Sequence, residues 1–516
     1  SVLLLLSGIA QESRPDPSRF LTDHFHKLWK KHRIEPASKC EDLAFLRRVS
    51  LDLIGRIPDR VERDTFLKLP QAKRRKLWID RLLERSEHAQ FLSRLWSSRL
   101  MPTPSESFRG WCESQLKRNV SYRELVINLI TASGASRSNG AVHFILQHLG
   151  SPLPKSKRGK EGQHDLIPLT GRVMRSFLSL TVDCAQCHSH PFEDTFKMRD
   201  FWGTNAAFRQ VELAQRPTRD VTKTETIIRD NPKLNPKGMI ELPDRGEFVL
   251  FVKSSLLNKT PVRETKSKTR RQIFAEALTK HPNFARTIVN QMWTHFLSRG
   301  LADYERDVSL AKDNVTHHWR LLDVLSKAFI ESGYDLRALC RWICNSEVYA
   351  LQSHTNQTNA SSKKLIFFSR MSVKRLTREQ LIDSILTGLE VSLPRRRQLR
   401  SQWMKQLKPV HHFSKTCEIE TSERRMNPFH RALWLMNSSS MQQALGSRKG
   451  LLTRALKSRT LFACVNELFQ SLLARPLQRN EYTRLLRVSR IQKLDRAVLE
   501  DVLWALLNSE EFGTNH

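Results

Sequence analysis

Residues 41–59 read EDLAFLRRVSLDLIGRIPD. Leu43, Leu46, Val49, Leu53 and Ile54 recur at the spacing that brings side chains to one face of an α-helix. Gly55 and Pro58 supply a stop. The same period runs through RRKLWIDRLLERSEHAQFLSRLW (74–96), YRELVINLITA (122–132), WRLLDVLSKAFIESG (319–333), LRALCRWICNS (336–346) and RAVLEDVLWALLNSEEF (496–512). A helix resumes over about Leu169–Leu180, and residues 151–166 read as a loop by composition. The character changes after Phe208, where 215–237 is polar and rich in Thr, Asn and Pro. GMIEL and EFVLFVK flank Pro243-Asp244-Arg245-Gly246 and read as two short strands of a hairpin. The fold class expected is mainly α: two helical domains, 20–212 and 266–516, joined by a polar linker, 213–265, with a small β-hairpin. Ile343 to Tyr349 and Leu506 to Phe512 echo one another as N-S-E and an aromatic, which reads as helix punctuation.

The 516 residues carry 86 Lys and Arg against 52 Asp and Glu, a formal charge of +34. A charge of this size attracts polyanions. Basic clusters stand at Lys30-Lys31-His32-Arg33, Lys155 to Lys160, Lys266 to Arg271 and Arg395-Arg396-Arg397. No nucleic-acid recognition motif accompanies them, so the bland reading is a generally cationic surface. Val2 to Leu6 and the small residues at Gly8 to Ala10 resemble the end of a secretory signal, which makes 1–12 its remnant. Export, to a periplasmic or extracellular location, is the expectation. No run approaches the roughly 18–20 apolar residues that span a bilayer, so no transmembrane segment is expected.

Of the eight cysteines, Cys340 and Cys344 are one helical turn apart and read as buried thiols. Cys184, Cys187 and His188, in VDCAQCHSHPF, spell C-x-x-C-H. Two thiols at this spacing can bond the two vinyl groups of one haem, and the adjacent imidazole then reaches the iron. Met174, Met198, His143 and His148 have the residue type of an opposite axial ligand. Three other readings share the residues. Zinc could take the two thiolates with His188 or His190. The thiols could cycle as a dithiol. A structural bridge could close the turn before Pro191, with no cofactor at all. His317-His318 and His411-His412 read as surface or boundary residues. No phosphate loop, dinucleotide fingerprint, zinc-protease helix or nucleophile elbow is present, so no enzyme class is assigned.

VDCAQCHSHPFED, NFARTIVNQMWTHFLSRGL, ESGYDLRALCRWICNSEVYALQS and LEDVLWALLNSEEF, taken in order, resemble a family. It is the large secreted proteins of planctomycetes and relatives, with a cytochrome-associated domain followed by a second domain of unknown function. The resemblance runs from about Glu41 to the C-terminus. It implies an exported two-domain helical protein without a settled activity. A Cys-x-Cys of the family stands here as Cys417-Glu418-Ile419, without its second thiol. The expected function is redox or electron transfer through a c-type haem, with a cytochrome or other redox partner. The alternative is a cofactor-free cationic scaffold for an anionic polysaccharide or, less favoured, nucleic acid.

Overall fold

The computed structural model describes residues 17–186, 197–217, 224–243, 249–257, 259–302, 318–407, 428–445, 450–458, 460–489 and 495–516. The protein is mainly helical, with small antiparallel sheets. Two compact units do not follow chain order. The first holds residues 1–20, 89–294 and 299–342; the second holds 21–88, 295–298 and 343–516. The polar stretch after Phe208 therefore lies within the first unit rather than outside both.

In the first unit the strand Thr224–Asp230 pairs on one edge with Val211–Pro217 and on the other with Gly134–Ala135. The expected hairpin forms from Met239–Pro243 and Val249–Lys253, with Ile240 opposite Val252. Its buried face, Ile240, Leu242 and Val252, packs on Ala206 beside Met198 and Trp202. The alternation of apolar and polar residues in GMIEL is what turns one face inward.

Adjacent arginines join these pieces. Arg270 and Arg271 open the helix Arg270–Lys280, and both side chains are fully buried. Arg271 grips Asp230 with two hydrogen bonds (2.6 and 3.0 Å). Its Nη1 donates to the carbonyls of Ile130 and Ala132, where the helix Tyr122–Ile130 ends. Arg270 pairs with Glu264 and reaches the carbonyls of Ala206 and Asn235 and the Asn235 side chain. A cation suits unpaired carbonyls at a helix C-terminus. The Lys266 to Arg271 cluster is thus only partly a surface feature: its last two charges are interior.

Residues 151–166 are not a simple loop, because Lys155–Glu161 is a helix. Pro154 leads into it, Arg158 Nε donates to Leu153 O, and Gly162 ends it at φ +88°. Asn235 completes the arrangement by hydrogen bonds to the carbonyls of Gly159 and Lys160. These long-range bonds outweigh a composition rich in loop formers.

In the second unit the opening stretch forms the helix Asp42–Leu53, and Gly55 closes it at φ +75° with a bond to Ser50 O. The helix is less amphipathic than its period suggests, since every residue from Phe45 to Leu53 is buried. Its polar side faces a second interior layer instead of water. The helix Arg378–Gly388, capped by a Thr377–Gln380 box, is likewise buried from Gln380 on. It sits in a core with Trp403, Met441, Leu468, Leu472, Leu503 and Phe512.

Breaking the Arg271–Asp230 pair from either side leaves a buried charge without its partner. Asp230→Ala and Arg271→Ala are each expected to cost about 3–5 kcal/mol in chemical denaturation. The double variant should cost clearly less than their sum, because the two losses share the Arg271–Asp230 interaction.

Candidate functional site

The helix Ile167–Leu178 delivers the chain to the C-x-x-C-H motif. Its buried stripe of Leu169, Val173, Met174, Phe177 and Leu178 binds it to the core, and Ser179 ends it in the left-handed region. A 3-10 turn, Asp183–Gln186, follows and contains the backbone of Cys184. Cys187, His188 and His190 lie outside the described residues, as do residues 1–12, Cys417, His317, His411 and His412. The near side of the motif is anchored from behind: Leu180, Val182 and Ala185 are buried, and Trp202 Nε1 donates to Gln186 O at 3.0 Å. Trp202 comes from the helix Met198–Ala206, which the β-hairpin supports.

The axial residues proposed by type fall into distinct environments. Met174 is completely buried, and Met198 packs beside the hairpin core. His143 Nε2 donates to Ser136 O at 3.0 Å. His148 Nδ1 donates to Phe144 O at 2.7 Å, which leaves Nε2 as its acceptor nitrogen. Phe144 packs on Phe177 while Arg172 lies near His148, so the Val142–His148 helix runs antiparallel to Ile167–Leu178. That places His148 beside the first half of the latter helix rather than at the end that enters the motif. Burial, with the Arg172 charge adding to it and the Phe144 hydrogen bond opposing it, pushes its pKa down to about 4.

The remaining described thiols lie in the interior. Cys40, Cys112, Cys340, Cys344 and Cys464 are all buried and unbridged. Burial pushes Cys112 upward and Cys340 up to about 12, far from the thiolate form that reacts or binds metal. Among the described residues no group of three or more His, Cys, Asp or Glu side chains could hold a metal ion. No described helix is long and apolar enough to cross a membrane.

The second unit contains a polar interior that the sequence did not announce. Asp52 accepts from Lys374 Nζ (2.6 Å), Asn515 Nδ2 (2.9 Å) and Tyr349 Oη (2.8 Å). Lys374 also donates to the carbonyls of His295 and Phe296. Burial pushes the Lys374 pKa down against the pull of Asp52, and burial with Asp52 pushes the Tyr349 hydroxyl well up. One turn earlier, Arg47 Nη2 donates to the carbonyls of Glu511, Phe512 and Thr514. Arg48 donates to those of Tyr349, Leu351 and His516. Perturbed groups in such a cluster often mark an active site. Here each is turned to an internal partner and shut from solvent, so the arrangement holds structure together. The one sequence signal was the pair Arg47-Arg48, set between Leu46 and Val49 in an apolar pattern.

The echoed segments prove equivalent. Ser346 Oγ donates to Ile343 O and Ser509 Oγ to Leu506 O, and the aromatics Tyr349 and Phe512 are both fully buried. His318, expected at a surface or boundary, is instead 1% exposed at the start of the helix Trp319–Glu331, because the apolar residues that follow draw that end inward.

Residues 22–213 match the family model PSCyt2, described as a protein of unknown function (DUF1549). Residues 270–390 match PSD1, also described as a protein of unknown function (DUF1553). No curated protein and no solved structure matches the chain.

The depressed His148 carries a pH signature. Its folded pKa lies below the unfolded value near 6.5, so the unfolded chain takes up the proton first and acid favours unfolding. The contribution is fully present above about pH 6.5 and is lost as pH falls toward 4, up to about 3 kcal/mol. Denaturation midpoints at pH 7.5, 5.5 and 4.5 should fall in turn, and His148→Gln should flatten that slope.

Proposed function

We propose that this chain, which belongs to the two-domain planctomycete cytochrome-associated family pairing PSCyt2 with PSD1, is an exported redox protein with a covalent c-type haem at Cys184, Cys187 and His188. The observation that carries the reading is the division among thiols. Those described elsewhere are buried and unbridged, whereas Cys184 and Cys187 stand three positions apart with an imidazole next to the second. That donor set suits haem attachment, since each thiol adds across one vinyl group and His188 supplies the proximal nitrogen. The haem would provide one-electron transfer to a cytochrome or other redox partner. The protein's own contribution is positioning: the Ile167–Leu178 helix and the Trp202 bond to Gln186 fix the near end of the motif. The apolar run Val2 to Leu6 supports export, the compartment in which such attachment proceeds.

The test is an absorption spectrum of protein matured in an exporting host with haem-attachment machinery. A Soret band should remain with the denatured chain and vanish in Cys184→Ala/Cys187→Ala. Colourless protein from that host would overturn the reading and leave the motif to zinc, a dithiol or a structural bridge.

A second reading, cofactor-free binding of an anionic polysaccharide, has its own observation. Lys155, Lys157 and Lys160 are exposed on the helix Lys155–Glu161. Asn235 ties that helix to a loop that exposes Lys233 and Lys237. Five lysines from two distant segments thus share one framework. Retention on an immobilised sulfated polysaccharide should fall steeply with salt. Lys155→Glu/Lys233→Glu should shift elution to clearly lower salt; unchanged elution would remove this surface from consideration.

A further inference from the structure

The second unit also carries an open cleft of about 780 Å³, which shares no residue with the C-x-x-C-H motif. That volume suits a small-molecule ligand, for which about 300–1,000 Å³ is usual. The lining comes from three separate stretches, around Thr22, from Lys39 to Arg75, and from Asn345 to Ala350.

Two charged groups in it are held in advance of any ligand. Arg75 donates from Nε to Asp42 Oδ1 (2.8 Å) and from Nη2 to Cys40 O (2.5 Å), and its Cζ lies 4.7 Å from the Phe45 ring centre. Arg74 takes the other Asp42 oxygen at 2.8 Å. Asp42 is therefore a positioning residue, and Arg75 Nη1 is left for a ligand. Across the lining, Glu347 Oε2 lies 2.6 Å from His26 Nε2, and its Oε1 lies 4.0 Å from Lys39 Nζ. Glu41, Gln71 and Asn345 are exposed at the edge.

The chemistry of this lining is selective. Its cations are Lys39 and Arg75, and its carboxylates are Glu41, Asp42 and Glu347. With Arg74 on the second oxygen of Asp42, three cations meet three carboxylates, so in a chain of +34 the cleft is one place without excess positive charge. A polyanion drawn to the rest of the surface would find no net positive charge here, and the carboxylates of Glu41 and Glu347 in its way. An apolar ligand would have to desolvate the amides, hydroxyls and charges of this lining. The complementary ligand has no net charge and carries groups that both donate and accept. The hydroxyl does both. We propose that this cleft binds a neutral carbohydrate, an oligosaccharide of about two or three rings. Arg75 and Lys39 donate to ring hydroxyls, and Glu41 and Glu347 accept from them. The assignment stands apart from the haem reading and survives its failure.

The experiment titrates the full chain with cellotriose, mannotriose and chitotriose, and with trigalacturonate as the anionic control, by calorimetry and ligand-observed NMR. At least one neutral trisaccharide should bind saturably. Glu347→Gln and the exposed Gln71→Ala should each weaken it several-fold while melting temperature holds. Cys184→Ala/Cys187→Ala should bind as well as the unaltered chain. The proposal is overturned if no neutral trisaccharide saturates below about 10 mM, if trigalacturonate binds as tightly, or if both cleft variants keep full affinity in a folded protein.

Discussion

A guanidinium taken out of water has to be met by carbonyls or carboxylates, and this requirement organises both units. Arg270-Arg271 in one and Arg47-Arg48 in the other are adjacent, helical and buried. Neighbouring residues on a helix point about 100° apart. One such pair therefore reaches two different segments, and all four arginines end at carbonyls where another helix stops. Arg47 shows what incomplete compensation does. Its Nε and Nη1 have no partner among the described residues, and burial, only partly offset by Glu511, pushes its pKa down to about 10.

This interior use of charge changes how +34 is understood. Part of the positive charge never faces solvent. Arg56 illustrates the point: it is bound twice by Glu62 and once by Glu87. Burial raises the Glu62 pKa, but Arg56, Asp59 and Arg85 overcome it and hold the carboxyl at about 2. Replacing such pairs by apolar residues is often neutral for stability, whereas breaking one side is costly. The arginines thus act as specific connectors, committing distant segments to one arrangement. The exposed remainder is uneven: lysines gather on the 155–161 helix, while positive and negative charges balance in the cleft.

The two candidate sites differ in what supports them. The C-x-x-C-H site rests on residue identity and on the anchoring of its near end. The cleft rests on geometry assembled from three stretches, with Asp42 and Phe45 fixing Arg75 before a ligand arrives. A thiol motif is readable from spacing because its chemistry is local. A polar cleft is not, since no one stretch contains it.

Local order was legible in the sequence itself. The helical period of EDLAFLRRVSLDLIG, the stop at Gly55, the hairpin of GMIEL and its partner, the buried Cys340 and Cys344 and the repeated N-S-E punctuation all follow from residue spacing and backbone preference. The C-x-x-C-H motif and the family resemblance were legible in the same way. Tertiary structure alone decided the rest. It turned the polar side of the 42–53 helix inward, made a helix of 155–161, buried His318, and interleaved the two units along the chain. It also brought Asp52 to Lys374, Tyr349 and Asn515, and Glu347 to His26. The physical reason is range. Periodicity and capping act over a few residues, whereas a buried charge finds its partner hundreds of residues away, and only the closed fold shows which one.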